Sequence, residues 1–336
     1  MKAGIFVAAK TVQPGTVEKP VPQDGQALIK VAYGGICGTD MMIYAGKHPR
    51  AQAPLVMGHE FSGVVEAVVN VQDFKPGDRV AIEPYLTCGK CAACRAGQSH
   101  VCATLRCIGI DRDGGFAEYV SVPADHLHRL PDSVSDEEGA LVEPLAVAVH
   151  TVRRSDLKLG DSVAILGAGP IGLLIGMVAK QAGAGKVFIS DISPYRLNTA
   201  RQLGLTAINA READITEAVM DYTNGVGADV VFEVAGTAST AKQMISCIKT
   251  QGKIVVVSVF KEPPAIDLAA MHFREISMTT TRCASSRDFA TAIQLMEEKT
   301  VDVTPLISHK LSLEQIKQGF EVMENTELSL KVLFHP

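Results

Sequence analysis

Tryptophan is absent from this 336-residue chain, and aromatic residues make up only 5% of it, so any binding pocket lacks the largest aromatic wall. Positive charge is not in excess: 32 Lys and Arg stand against 37 Asp and Glu, a net charge of −5. Nonspecific binding to nucleic acid or to an anionic membrane is therefore disfavoured. There is no long unbroken hydrophobic run. The longest uncharged stretch, residues 162–179, has 18 residues and is broken by Gly167, Gly169, Pro170, Gly172 and Gly176. It sits near the lower limit of about 17–25 residues for a membrane span and reads instead as strand, turn and buried helix. Residues 1–10 carry one early Lys and a short apolar run, which suits a strand better than an export signal. A cytoplasmic protein is expected, without a disulfide framework. No internal repeat, low-complexity tract or long linker is visible.

What is present is an ordinary globular composition, 47% hydrophobic and 21% charged. The length suggests about two domains. Residues 27–32, 63–69 and 79–82 have the β-branched content of strands, separated by turn signals such as Pro22-Gln23-Asp24-Gly25 and Lys75-Pro76-Gly77-Asp78. After about residue 150 the pattern changes. Short apolar runs at 163–166, 187–190, 229–234 and 253–259 alternate with helix-length segments at 171–182, 194–203, 214–223 and 239–249. That alternation implies βαβ units and a buried parallel sheet. Beyond about 285 it weakens, with helices expected at 287–299 and 313–325 and a strand at 328–334.

Of eight cysteines, Cys88, Cys91, Cys94 and Cys102 form C-x2-C-x2-C-x7-C. Four thiolates brought this close suit a closed tetrahedral zinc site. The polar surroundings, Gly89, Lys90, Arg95 and Gly97, cannot build a core, so metal would supply the loop's folding energy. An iron–sulfur cluster is the main competitor, and plain buried or disulfide-bonded cysteines the blander one. Cys107, Cys247 and Cys283 read as packing residues.

Gly167-Ala168-Gly169-Pro170-Ile171-Gly172 fits G-x-G-x-x-G between a strand and an apolar helix. In that setting the first Gly permits the turn, the second lets the backbone approach a pyrophosphate, and the third packs helix on strand. The helix N-terminus favours the phosphate charge. Asp191 follows 19 residues after Gly172, placed to accept a ribose 2′-hydroxyl and to repel a 2′-phosphate. NAD is expected over NADP, although Arg196 nearby keeps NADP open. A structural Gly-rich turn is the alternative.

Cys37, His59 and Glu143 each sit at a loop or strand end, and each is a metal-ligand type. A thiolate, an imidazole and a carboxylate would leave a fourth position for water or an alcohol. Taken singly, such residues are more often core residues.

With Gly58-His59-Glu60-x-x-Gly63, Pro76-Gly77-Asp78-Arg79-Val80, Gly114-Gly115-Phe116-Ala117-Glu118-Tyr119 and the four-cysteine loop, the chain resembles the zinc-containing medium-chain alcohol dehydrogenases along essentially its whole length. Glu143-Pro144-Leu145-Ala146-Val147 and Arg153-Arg154 carry the look of the sorbitol (polyol) and sugar-acid subgroup. The resemblance implies an α/β protein: a Rossmann doubly wound parallel sheet at 149–285, and a β-rich GroES-like catalytic domain at 1–148 joined by the returning segment 286–336. It implies Cys37 and His59 as ligands of a catalytic zinc, with Glu60, or Glu143 directly or through water, as the carboxylate. It places Thr39 as a proton-relay hydroxyl and Arg282 near the substrate. Edge residues 276–281 would pair across a homodimer or homotetramer. Two departures stand out. Met42 replaces a common relay His, for which His48 could substitute, and Val69 replaces a usual Gly.

The expected activity is hydride transfer from a secondary alcohol of a polyol, sugar or aldonate to NAD, with two zinc ions per chain. The alternatives are a dehydrogenase of threonine, butanediol or a simple alcohol, a zinc-binding regulatory or nucleic-acid-binding protein, and a catalytically retired relative.

Overall fold

Apolar runs too short for a helix fold as parallel strands in the second half of the chain. In the computed structural model, which describes residues 1–336, Ser162–Leu166 is buried along its whole length. It pairs in parallel with Lys186–Asp191 on one side and Ala228–Glu233 on the other. Thr206–Asn209 extends the sheet beyond the first neighbour, and Ile248–Val256 followed by Ser277–Thr280 extends it beyond the second. The resulting order of six parallel strands is doubly wound and reverses at Ser162–Leu166, where such sheets bind nucleotides. Helices Pro170–Gln181, Pro194–Gln202, Ile215–Tyr222 and Ala238–Cys247 fall between the strands in sequence. Their apolar residues, among them Val219, Met244 and Ile245, pack with Val231 and Ile254 of the sheet.

Sequence periodicity misses Thr206–Asn209. Its four residues are all half-buried at the far side of the sheet, so no run of fully apolar positions marks it. It also carries the fourth helix to Lys249, whereas strand begins at Ile248, directly after Cys247.

Residues Val147–Arg282 form one compact unit, and Met1–Ala146 with Cys283–Pro336 form the other. The second of these is built on the long strand Gln26–Gly35, which pairs antiparallel with Glu60–Val68, Tyr119–Pro123 and Lys331–His335. Ile307–Ser312, another strand without a clear sequence signal, lies parallel to Lys331–His335. Ile29, Val31, Phe61, Val65, Val80, Ile82 and Val120 fill the core of this sheet. Each fully buried side chain of this kind contributes about 1.5–3 kcal/mol. No helix is long and apolar enough to cross a membrane.

Candidate functional site

Cys37 follows the strand Gln26–Gly35 by two residues and is the N-cap of helix Gly38–Tyr44. Its backbone N–H donates to Asp40 Oδ2 at 2.8 Å, which pins the turn. His59 and Glu60 arrive from the neighbouring strand, Glu60 opposite Gly35 in the register. A Cβ on Gly35 would lie 2.9 Å from Glu60 Oε2, so only glycine leaves room for the carboxylate there. Gly58, at φ +94°, turns the chain into His59, and a Cβ on it would strike the Phe116 ring at 2.6 Å.

The ligand atoms of Cys37, His59 and Glu60 lie within 4.8 Å of one another. His59 Nδ1 faces Asp40 Oδ1 at 3.7 Å, and neither atom has a hydrogen-bond partner although both are buried. With Nδ1 on the Asp40 side, Nε2 is the nitrogen left for a metal, and a small closure of the 3.7 Å gap would let the Nδ1–H donate to Asp40. Burial lowers the affinity of His59 for a proton, but Asp40 and Cys37 outweigh it and raise its pKa well above the ordinary value. The negative surroundings that attract that proton also suit a dication.

Lys331, on the last strand, is 2% exposed and pairs with Glu60, itself 1% exposed. Its Nζ also donates to the Ile36 carbonyl at 3.1 Å. Glu143 does not join the three-residue donor set. It lies in the first turn of helix Val142–Arg153, not in a loop, and accepts a hydrogen bond from the Tyr85 hydroxyl. Burial and the nearby Glu60 charge push its carboxyl up to about 7. Thr39 is half-buried in the first turn of helix Gly38–Tyr44, and Met42 is exposed. His48 Nδ1 accepts from the backbone N–H groups of Arg50 and Ala51 at 3.3 and 3.2 Å. Burial and Arg50 lower its pKa, so it is a poor proton acceptor.

The four loop cysteines also converge, with Sγ–Sγ separations of 3.5 Å for Cys91–Cys94, 3.9 Å for Cys91–Cys102 and 4.0 Å for Cys88–Cys94. Tetrahedral zinc with Zn–S bonds near 2.3 Å requires sulfurs about 3.8 Å apart. A disulfide requires about 2.05 Å, and none of the eight cysteines is in one. Backbone N–H groups of Lys90 and Cys91 lower the Cys88 thiol to about 6, favouring the thiolate.

In the other unit, Gly167 takes φ +121°, and a Cβ on Gly172 would sit 1.9 Å from the Gly167 carbonyl. Gly169 caps helix Pro170–Gln181, with Pro170 and Ile171 opening it. A Cβ on Gly169 would meet no atom nearer than Arg196 Nη1 at 3.9 Å, which leaves space beside the turn. Asp191 ends its strand and binds the turn itself, its Oδ2 accepting from Ala168 N at 2.8 Å and its Oδ1 from Ser193 N at 2.9 Å. Arg282, exposed, closes this unit two residues after the edge strand.

Sequence reasoning assigned no role to Asp40, Tyr85 or Lys331. A lysine inside the apolar run Leu330-Lys331-Val332-Leu333-Phe334 was a usable signal, because a buried cation needs a partner.

Two families of known domains match the chain. The alcohol dehydrogenase GroES-like domain matches residues 23–132, and the zinc-binding dehydrogenase domain matches residues 170–298. A 2-dehydro-3-deoxy-L-galactonate 5-dehydrogenase of Pseudoalteromonas atlantica is 40% identical over 314 residues, 93% of this chain and 92% of the relative. A sorbitol dehydrogenase of Halalkalibacterium halodurans is 38% identical over 344 residues, covering 100% and 99%. The crystal structure of 2R,3R-butanediol dehydrogenase from Bacillus subtilis superposes with a TM-score of 0.93 at 33% identity, covering 100% and 99%. Two similar solved structures, at 29% and 35% identity, hold NADH and NADP respectively. With both domain matches and full-length relatives in agreement, the chain belongs to the zinc-dependent alcohol dehydrogenase family.

Proposed function

We propose that the protein oxidises a secondary alcohol of a polyol or sugar acid, with a catalytic zinc at Cys37, His59 and Glu60 and with NAD as hydride acceptor. The observation that carries the reading is that donor set, whose ligand atoms lie within 4.8 Å of one another. One thiolate, one imidazole and one carboxylate leave a fourth position for the substrate oxygen. The two full-length relatives named for a sugar acid and for sorbitol support the substrate class.

When bound, zinc supplies the Lewis acidity that lowers the pKa of the substrate hydroxyl, and the nicotinamide supplies the hydride acceptor. Cys37, His59 and Glu60 hold the metal, Asp40 orients His59, and Lys331 neutralises Glu60. The Thr39 hydroxyl accepts the substrate proton and passes it outward. Met42 cannot carry a proton, and His48 Nδ1 is committed to the backbone. The outward path therefore runs from Thr39 to solvent. Gly167, Gly169 and Gly172 and the following helix N-terminus receive the pyrophosphate. Asp191 receives the ribose hydroxyl and selects NAD over NADP, with Arg196 alongside. A second zinc at Cys88, Cys91, Cys94 and Cys102 is structural, since four protein ligands close its coordination. Arg282 contacts the substrate. The Ser277–Thr280 edge strand joins protomers of a cytoplasmic homodimer or homotetramer.

The test is reduction of NAD and of NADP by the zinc-loaded protein across polyols, aldonates, threonine, butanediol and simple alcohols. Turnover is expected to be highest with NAD and a polyol or aldonate. A preference for threonine or butanediol refutes the substrate class, and reduction with none of them refutes the dehydrogenase reading. Arg282→Ala is expected to lower kcat/KM on the preferred substrate.

A further inference from the structure

One buried pair has no part in the chemistry above. Tyr85 is 5% exposed and Glu143 is 6% exposed, and the phenol hydroxyl donates to Glu143 Oε1. Tyr85 is not a loose core aromatic. Its short strand, Tyr85–Leu86, pairs antiparallel with Arg106–Cys107. Its ring meets the Phe289 ring edge-on, centroids 6.1 Å apart at 73°. Phe289 in turn stacks on His128 at 4.9 Å and 11°. His128 Nε2 lies 3.1 Å from Glu83 Oε2, and Glu83 precedes Tyr85 by two residues. The bracket closes on itself and fixes the position of the hydroxyl.

Glu143 contrasts with Glu60. Both are buried and each has a strong partner, Tyr85 for the one and Lys331 for the other. Only Glu60 has its oxygen inside the donor set with Cys37 and His59. A buried carboxylate close to a dication binds it unless another partner competes. The phenol is that competitor for Glu143.

We propose that Tyr85 is a positioning residue that holds the Glu143 carboxylate off the catalytic metal, keeping the fourth coordination position open for the substrate oxygen. The inference rests on the metal-centre reading above. Without the hydroxyl, Glu143 closes the site by becoming a fourth protein ligand.

The experiment replaces zinc by cobalt(II) and records visible ligand-field and thiolate charge-transfer bands. The catalytic-site spectrum is the part lost in Cys37→Ser. Tyr85→Phe removes one hydroxyl and keeps the ring against Phe289, so the fold is retained. In Tyr85→Phe the catalytic-site bands are expected to shift, and the shift is expected to vanish in Tyr85→Phe/Glu143→Gln. Zinc release from the catalytic site to a chelator is expected to slow about tenfold in Tyr85→Phe, the lower end of what partners behind metal ligands control. A spectrum of which no part is lost in Cys37→Ser overturns the metal-centre reading and the clamp with it. Bands lost in Cys37→Ser but unchanged in Tyr85→Phe, whatever its melting temperature, overturn the clamp alone.

Discussion

Lys331→Met removes the cation from the Lys331–Glu60 pair while nearly preserving side-chain volume. Both partners are almost fully buried, at 2% and 1% exposure. Breaking such a pair from one side leaves a buried carboxylate without a counter-charge, which costs about 3–5 kcal/mol. The Ile36 carbonyl also loses its donor at 3.1 Å. That loss falls within the same range, because effects at contacting groups do not add. For a folding unit of 150–250 residues, about 2–4 °C of melting temperature corresponds to 1 kcal/mol. The chelator-treated variant should therefore melt about 6–20 °C below the chelator-treated parent. Excess zinc should shrink the gap, because a bound dication supplies part of the missing positive charge. The double variant Lys331→Met/Glu60→Gln should recover most of the loss, since it buries no net charge. The measurement is calorimetric or circular-dichroism melting of the three proteins with chelator and with zinc. A chelator-treated Lys331→Met protein melting within about 2 °C of the parent would refute the reasoning.

Three further outcomes are expected. Glu143 titrates near 7 in the folded metal-free protein against 4.5 in the unfolded chain, because of burial and Glu60. The folded state thus keeps a proton that the unfolded chain releases, so this group's contribution to metal-free stability declines as pH rises from about 4.5 to about 7 and then levels. Glu143→Gln should flatten that part of the melting-temperature profile, and an unchanged slope would assign it to other groups. Native mass spectrometry should count two zincs per chain, with one lost in Cys37→Ser and the other in Cys91→Ser. A single metal insensitive to Cys37→Ser would contradict the catalytic assignment. Asp191→Ser should reduce kcat/KM for NAD about 10- to 150-fold, the equivalent of about 1.5–3 kcal/mol for a charged hydrogen bond, and should hurt NADP less. Equal losses for both cofactors would instead point to the role of Asp191 in holding Ala168 and Ser193.

Local features of the fold were easiest to read. The buried strand Ser162–Leu166 and its glycine turn announce themselves because strand burial and turn geometry both act over a few residues. Likewise the four cysteines fall within fifteen positions of one another, so their spacing alone brings the sulfurs close. The other metal-ligand candidates span a longer interval, and family resemblance rather than periodicity drew them together. What escaped notice is long-range. Tyr85 reaches Glu143 across 58 positions and Lys331 reaches Glu60 across 271, and no pattern in the intervening chain encodes either contact. Thr206–Asn209 escaped for a different reason, since its half-buried residues lack the apolar signature of the central strands.

The position of Lys331 has a consequence for biogenesis. Cys37, His59 and Glu60 precede the unit Val147–Arg282 in the chain, but the ammonium that neutralises Glu60 follows it. Residues Val147–Arg282, a contiguous unit, are all made before it. Until Lys331–His335 has been made, Glu60 lacks its counter-charge and Gly34 and Gly35 lack their partner strand. The donor set is therefore complete only after the contiguous unit has been made, and removing Lys331–His335 takes both the counter-charge of Glu60 and a neighbour of Gln26–Gly35 from the sheet.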